Sequence, residues 1–337
     1  GSDGRLHYKT DSLGNPIMDF SYAGYRAGGV ALPNVAAKRT VSPSSGDDTS
    51  AIQSAINAVS ALAPDANGFR GAVLLAAGTF NVSGTLNINT SGIVVRGSGS
   101  GSGGTLINMN PNATPFTLFA LKGSGSWQTS STSASMTDSY VHSGRLTFNV
   151  DNPSLFNVGD TVLISRPVTQ AWVNFMGMND LVSSTGTPET WLGVGSTITT
   201  DRTITAINGT LLTLDAPLTD SFDSALLNPP GGSVATYTFP GRISQVGVEH
   251  LSVIAPAVNA AITIPQYSGV SMSAVMNAWA QDLVFRDTQN TVTIGGNVKQ
   301  VTLENIHVNH TITHTGDRMA DFSVSGTQIF LNNDPEF

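Results

Sequence analysis

The densest group of titratable side chains is the run His310-Thr311-Ile312-Thr313-His314-Thr315-Gly316-Asp317-Arg318-Met319-Ala320-Asp321. A histidine exchanges a proton near neutral pH, a carboxylate can orient it, and an arginine can hold an anion or a developing oxyanion. Arg286-Asp287 offers a second ionisable pair. The candidate catalytic residues are therefore Arg286, Asp287, His310, His314, Asp317, Arg318 and Asp321. His310 and His314 have the i,i+4 spacing of a helical zinc pair. The Thr-Ile-Thr between them favours a strand, however, and no Glu follows His310, so metalloprotease chemistry is set aside.

Aromatic side chains form a second group of candidates. Trp172, Phe175 and Trp191 lie in a loop-like stretch that also carries Asp180 and Glu189, and Tyr25 lies in a Gly- and Tyr-rich run near the start. Flat rings bury the apolar faces of sugars, which makes these four the candidate substrate-binding residues. The alternatives are structural: the tryptophans would fasten an inserted segment to its scaffold, and Tyr25 would sit in an extended arm packed between coils.

The elements that must position these groups are short strands. From Gly71 to Asn108 the apolar pairs Val73/Leu75, Phe80/Val82, Leu86/Ile88 and Ile93/Val95 alternate with Gly, Ser, Asn and Thr, a pattern of strands and turns that leaves no room for a helix. Upstream, Ile52, Ile56, Val59 and Leu62 recur at helical spacing behind Asp48, which predicts an amphipathic helix with Asp48 as its N-cap. Gly46-Asp47-Asp48-Thr49 with Ala51-Ile52-Gln53, then Gly78-Thr79-Phe80, and Gly92-Ile93-x-Val95-Arg96-Gly97 together resemble the opening of the pectate-lyase-like superfamily, over roughly residues 46–107. The resemblance implies an all-β, right-handed parallel β-helix, a solenoid whose open end is plugged by an N-terminal capping helix.

On activity the resemblance implies less, because that architecture carries lyases, hydrolases and adhesins alike. It points to a secreted carbohydrate-active enzyme, first of all a polysaccharide lyase acting by β-elimination on a uronate-containing glycan. In that chemistry Arg286 or Arg318 neutralises the C6 carboxylate, His310 or His314 takes the C5 proton, and Asp317 orients the histidine or binds Ca²⁺. The alternatives are a glycoside hydrolase using Asp287, Asp317 and Asp321, and a non-catalytic carbohydrate-binding or adhesive β-helix. The superfamily's catalytic motifs are not matched: Ser165-Arg166-Pro167-Val168 lacks the second Arg of the lyase pattern.

Composition agrees with a neutral, turn-rich β protein. The 337 residues include 35 Gly and only 11% charged residues, and the net charge of −8 excludes polyanion capture by bulk electrostatics, so no nucleic-acid partner is expected. An acidic polysaccharide would need a local arginine or a bridging cation such as Ca²⁺. There is no cysteine, and no apolar run of membrane-spanning length, so no membrane partner is expected either. Gly1-Ser2 and Glu336-Phe337 are pairs that cloning sites encode, from which a fragment lacking its leader and its last coils is expected. A monomer or homotrimer is expected.

The chain divides into an arm (1–45), the helix and first coils (46–122), a loop with a small antiparallel β subdomain (123–240), and later coils (241–337). Asn208-Gly209 between alternating runs signals a hairpin inside that subdomain. In the later coils Leu251, Leu283, Ile306 and Ile329 align, the last two steps each being 23 residues, so Ile329 is expected to stack on Ile306. That register makes one corner column of His250, Asp282, Asn305 and Gln328 and another of Arg286, Asn309 and Asn332. Both are first read as turn-satisfying stacks, and the proposed surface depends on them. Gly97-x-Gly99-x-Gly101 follows a strand but opens no helix, so it is a solenoid turn and not a dinucleotide fingerprint.

Overall fold

The computed structural model describes residues 8–189, 191–259, 264–312 and 320–332. His314, Asp317 and Arg318 lie outside the described residues. The chain forms two compact units, Ala23–Ser126 with Pro240–Phe337, and Gly1–Tyr22 with Trp127–Phe239. The arm expected over 1–45 is thus divided after Tyr22.

The first unit is a right-handed parallel β-helix. Strands Ala37–Val41, Gly71–Leu75, Ile93–Arg96, Ile243–Ile254, Val275–Arg286, Lys299–Asn309 and Thr327–Asn332 pair in parallel in that order. A second parallel sheet runs Leu86–Ile88, Thr117–Lys122, Ser268–Ser273, Val292–Ile294, Phe322–Val324. Inward side chains stack coil on coil: Val95, Val248, Ala280 and Leu303 form one column, and Ile107, Val253 and Phe285 another, all buried. Each such column removes apolar surface from water along the whole axis, which is how strands this short become stable.

Helix Thr49–Ser60 buries Ile52, Ile56 and Val59 against this core, as their spacing predicts. Asp48 is not its side-chain cap. Its backbone is already helical, and its carboxylate is buried and accepts the Ser44 and Asn81 amides at 2.9 and 3.1 Å. Asp47 accepts the Thr49 amide instead, at 2.9 Å.

Each later strand bends at polar residues with positive φ, the left-handed conformation that Asn, Asp and His tolerate better than most side chains. One corner column is Gln245, Asn277, Gln300 and Gln328, and the other, five residues on, is His250, Asp282 and Asn305. Leu251, Leu283 and Ile306 stack as predicted. Ile329 does not stack on Ile306; it pairs with Val301, so the last step is one of 28 residues and Gln328 sits on Gln300. Asn332 correspondingly pairs with Glu304 and not with Asn309. The 299–309 strand carries the same polar-aliphatic-x-aliphatic phrase twice, Gln300-Val301-Thr302-Leu303 and Asn305-Ile306-His307-Val308. Motif alignment fits Gln328-Ile329-Phe330-Leu331 to either one; hydrogen bonding selects the first.

The second unit is antiparallel. Thr161–Pro167 pairs with both Thr197–Asn208 and Ser233–Thr238, and the 197–208 strand turns at Gly209, φ 59°, into Leu211–Leu214. Phe148, Val162, Ile164, Leu212 and Val234 fill its own core.

Candidate functional site

Four rungs of the solenoid build the site. Arg96 ends its strand beside Glu249, whose pairing column continues to Gln281 and Glu304. Glu249 is buried, and a buried carboxylate must be paired. Arg96 Nε meets one oxygen, and the Trp279 indole donates to the other at 2.6 Å. Trp279 lies over Gly247, where a Cβ would collide with the indole, and Tyr25 packs edge-on against Trp279 with ring centroids 5.3 Å apart.

Immediately past that row comes the corner. His250 Nδ1 lies 2.8 Å from Asp282 Oδ2, and because a carboxylate only accepts, the histidine carries its proton on Nδ1. Asp282 Oδ1 accepts Ser100 Oγ at 2.6 Å and Asn305 Nδ2 at 3.1 Å, while His307 Nε2 donates to Asn305 Oδ1 at 2.9 Å. Burial opposes ionisation of Asp282, but the Ser100 and His250 hydrogen bonds and the charges of His250 and His307 outweigh it and hold the carboxyl below its ordinary 3.8.

The glycine turn after Arg96 puts Ser100 in reach. The Gly97 and Gly99 amides donate to the Glu249 and His250 carbonyls at 2.9 and 3.0 Å. A side chain at Gly97 would strike the His250 carbonyl oxygen, so this approach requires glycine. Two hollows flank the corner. A groove of about 650 Å³ is lined by the 100–106 turn, Ser252, Val284, Arg286 and Asn309. A recess of about 490 Å³ is lined by Leu32, Pro33, Asn34, Arg96, Glu249, His250 and Gln281. Ser100 lines the first and His250 the second; Asp282 bonds both.

The predicted residues are placed unequally. Arg286 is exposed on the groove wall, next to Asn309 of the adjoining rung, and its guanidinium makes no hydrogen bond or ion pair among the described residues. Asp287 is buried; Thr311 takes both its oxygens, with its amide at 2.6 Å and its hydroxyl at 2.8 and 2.9 Å. That carboxylate fastens a turn and is not presented to a ligand. His310 donates through Nε2 to Asp321 at 3.0 Å; Asp317, expected to orient a histidine, lies outside the described residues.

Tyr25 is 2% exposed and its hydroxyl donates to Gln245 at 2.6 Å, so it anchors the 23–36 segment and has no free face for a sugar. Trp172 is likewise buried, in the core of the second unit, with the Arg166 guanidinium 4.2 Å over its ring. Phe175 and Trp191 are 71% and 79% exposed, as a stacking platform requires. No three His, Asp or Glu side chains gather to hold a metal among the described residues, so no donor set for Ca²⁺ is assigned. No described helix is long and apolar enough to cross a membrane.

Sequence reasoning passed over Arg96, Ser100, Glu249 and His307 as site residues, and read His250 and Asp282 first as turn-satisfying residues. The available signal was the glycine run, whose small residues allow two backbones to touch at the corner.

No family model matches the chain, and no curated protein does. Solved structures do. The tailspike protein gp49 from Pseudomonas phage LKA1 is 17% identical over 80% of this chain and 36% of its own, with a TM-score of 0.42. The Pseudomonas phage phi297 tailspike gp61 is 13% identical over 81% and 42%, TM-score 0.34. The Gp54 tailspike of Acinetobacter baumannii bacteriophage AP22, solved in complex with A. baumannii capsular saccharide, is 9% identical over 78% and 48%, TM-score 0.30. The chain thus spans less than half the length of each of these structures.

Proposed function

We propose that this right-handed parallel β-helix of the pectate-lyase-like kind binds an acidic polysaccharide along the flank formed by its 243–254, 275–286 and 299–309 strands, and cleaves it by β-elimination at uronate units. The observation that carries the reading is Arg286, an exposed cation whose guanidinium has no partner among the described residues, on the wall of an open groove in a chain of net charge −8. An arginine left unpaired in such a place suits a carboxylate supplied by the ligand, and two parallel N–H donors match that group's geometry. A ligand of this kind is met outside the cell, where we place the protein.

Incubation with polygalacturonate, alginate and hyaluronan tests this reading, with a neutral glucan as control and with and without chelator. Binding to a uronate polymer with new ultraviolet absorbance from an unsaturated product is expected, and Arg286→Gln should weaken that binding about tenfold or more. Equal affinity for the neutral glucan, or none for any uronate polymer, would sink the reading; reducing ends without the absorbance would replace elimination by hydrolysis.

A second reading, retention without cleavage, is favoured by Asp287, whose carboxylate is buried and fully occupied by Thr311. Hydrolysis is the weaker alternative for the same reason, since Asp287 was one of its expected carboxylates.

A further inference from the structure

We propose that His250 is the general base of the cleavage, acting through Nε2 on a uronate unit seated in the recess beside it, with Asp282 and Ser100 as the residues that position it and Arg96 as the group that meets the uronate carboxylate. This rests on the polysaccharide reading above, and it moves the chemistry away from the His310 region.

The geometry gives each group one role. Asp282 accepts the hydrogen bond of His250 Nδ1–H, which leaves the Nε2 lone pair as the basic end of the ring. Asp282 is itself held by Ser100 and Asn305 and cannot turn away. The order is Ser–Asp–His, with the serine on the carboxylate and not on Nε2, so Ser100 is no nucleophile and the set is not that of a serine hydrolase. His250 lines the recess with its side chain 39% exposed. Arg96 lines it too; its Nε and Nη1 are taken by Glu249 and the Val35 carbonyl, and its Nη2 has no partner among the described residues. Glu249 lines the same recess with its charge paired to Arg96 and its second oxygen accepting the Trp279 indole N–H, so the pair carries no net charge and Arg96 Nη2 is left to meet the sugar carboxylate as a hydrogen-bond donor. Arg286 stands four residues along the strand from Asp282, roughly 13 Å at strand rise. It is too far to serve the same sugar and is placed to hold another unit of the same chain.

In the step itself Nε2 takes the C5 proton, and the C5–H electron pair becomes the C4=C5 double bond. The C4–O bond breaks with its pair on oxygen, the leaving oxygen takes a proton from water, and the imidazolium returns its proton to the hydroxide so formed. Arg96 Nη2 stabilises the charge that builds on the carboxylate. No oxidant or added reactant is needed.

The test uses the whole chain with polygalacturonate, alginate and hyaluronan, comparing the parent with His250→Gln and Asp282→Asn. On the polymer that is cleaved, His250→Gln should bind within about threefold of the parent while product release falls by about 10²-fold or more. Asp282→Asn should lower kcat with KM little changed, and it keeps the test alive if His250→Gln does not fold. Long-range nitrogen NMR of the imidazole should show the Nδ1–H form for His250 without any glycan present. Parent-level cleavage by His250→Gln, loss of its binding together with cleavage, or an Nε2–H form of His250 would each overturn the proposal while leaving the polysaccharide reading standing; binding without cleavage by the parent would overturn the proposal together with the elimination part of that reading, leaving binding alone. Failure of the parent to bind any uronate polymer would remove that reading, and this one with it.

Discussion

Trp279 and Glu249 meet through a 2.6 Å hydrogen bond from the indole nitrogen to a carboxylate that has almost no contact with water. The tryptophan thus packs the outer layer of the sheet and also satisfies the charge behind the recess. Trp279→Phe keeps most of the packing and leaves one Glu249 oxygen unsatisfied, so a loss of about 1–3 kcal/mol is expected. Trp279→Ala adds a cavity and should cost about 3–5 kcal/mol. Urea denaturation followed by circular dichroism measures both; equal losses would contradict the hydrogen bond's share.

Gly97 carries a close backbone contact. Gly97→Ala places a methyl group against the His250 carbonyl, which is main chain and cannot swing aside. A loss of about 1–3 kcal/mol is expected, together with displacement of Ser100 from Asp282. Gly101→Ala, where a Cβ meets nothing, should be nearly neutral in the same melt.

Asp287 should matter for stability. Asp287→Asn changes an acceptor that holds the Thr311 amide and hydroxyl, and about 1–3 kcal/mol is the expected loss. Any glycan cleavage by the folded variant should continue at the parent's rate, measured by product absorbance. A collapse of rate with unchanged stability would return Asp287 to the catalytic set.

Acid should loosen the corner. Asp282 titrates below 3.8 in the folded chain, so it binds its proton less readily there than when unfolded. The stability this confers is fully present above 3.8 and is lost as pH falls through the lower folded value. Asp47, held low against burial by Ser83 and Thr49, contributes with the same sign. Denaturation midpoints recorded downward from pH 6 should fall less steeply for Asp282→Asn than for the parent.

Two exposed rings of the second unit, Phe175 and Trp191, separate binding from folding. Phe175→Ser and Trp191→Ser should change stability by no more than about 0.5 kcal/mol, because neither ring is buried, whereas Trp172→Ala should cost about 3–5 kcal/mol. Weaker glycan retention by the first two would make them a platform; unchanged retention would assign them no part in it.

Local chemistry made much of this molecule legible in its residues. The 3.6-residue spacing of Ile52, Ile56 and Val59 specifies the capping helix, Asn208-Gly209 specifies its hairpin, and alternating aliphatics with glycine punctuation specify stacked coils. Each of these is written within a dozen residues, at distances where backbone preference and hydrophobic period act directly. Three-dimensional packing settled the rest. Ile329 matches Val301 and Ile306 equally well as a word, and only hydrogen bonding between rungs distinguishes them. Asp47 and Asp48 exchange roles because one is buried and the other is not. Asp282 meets Ser100 across 182 positions and His250 across 32, contacts that exist because the coils wind back to the same corner. A linear pattern records which residues a rung contains; which rung lies beside it, and so which side chains share a proton, is a property of the wound chain.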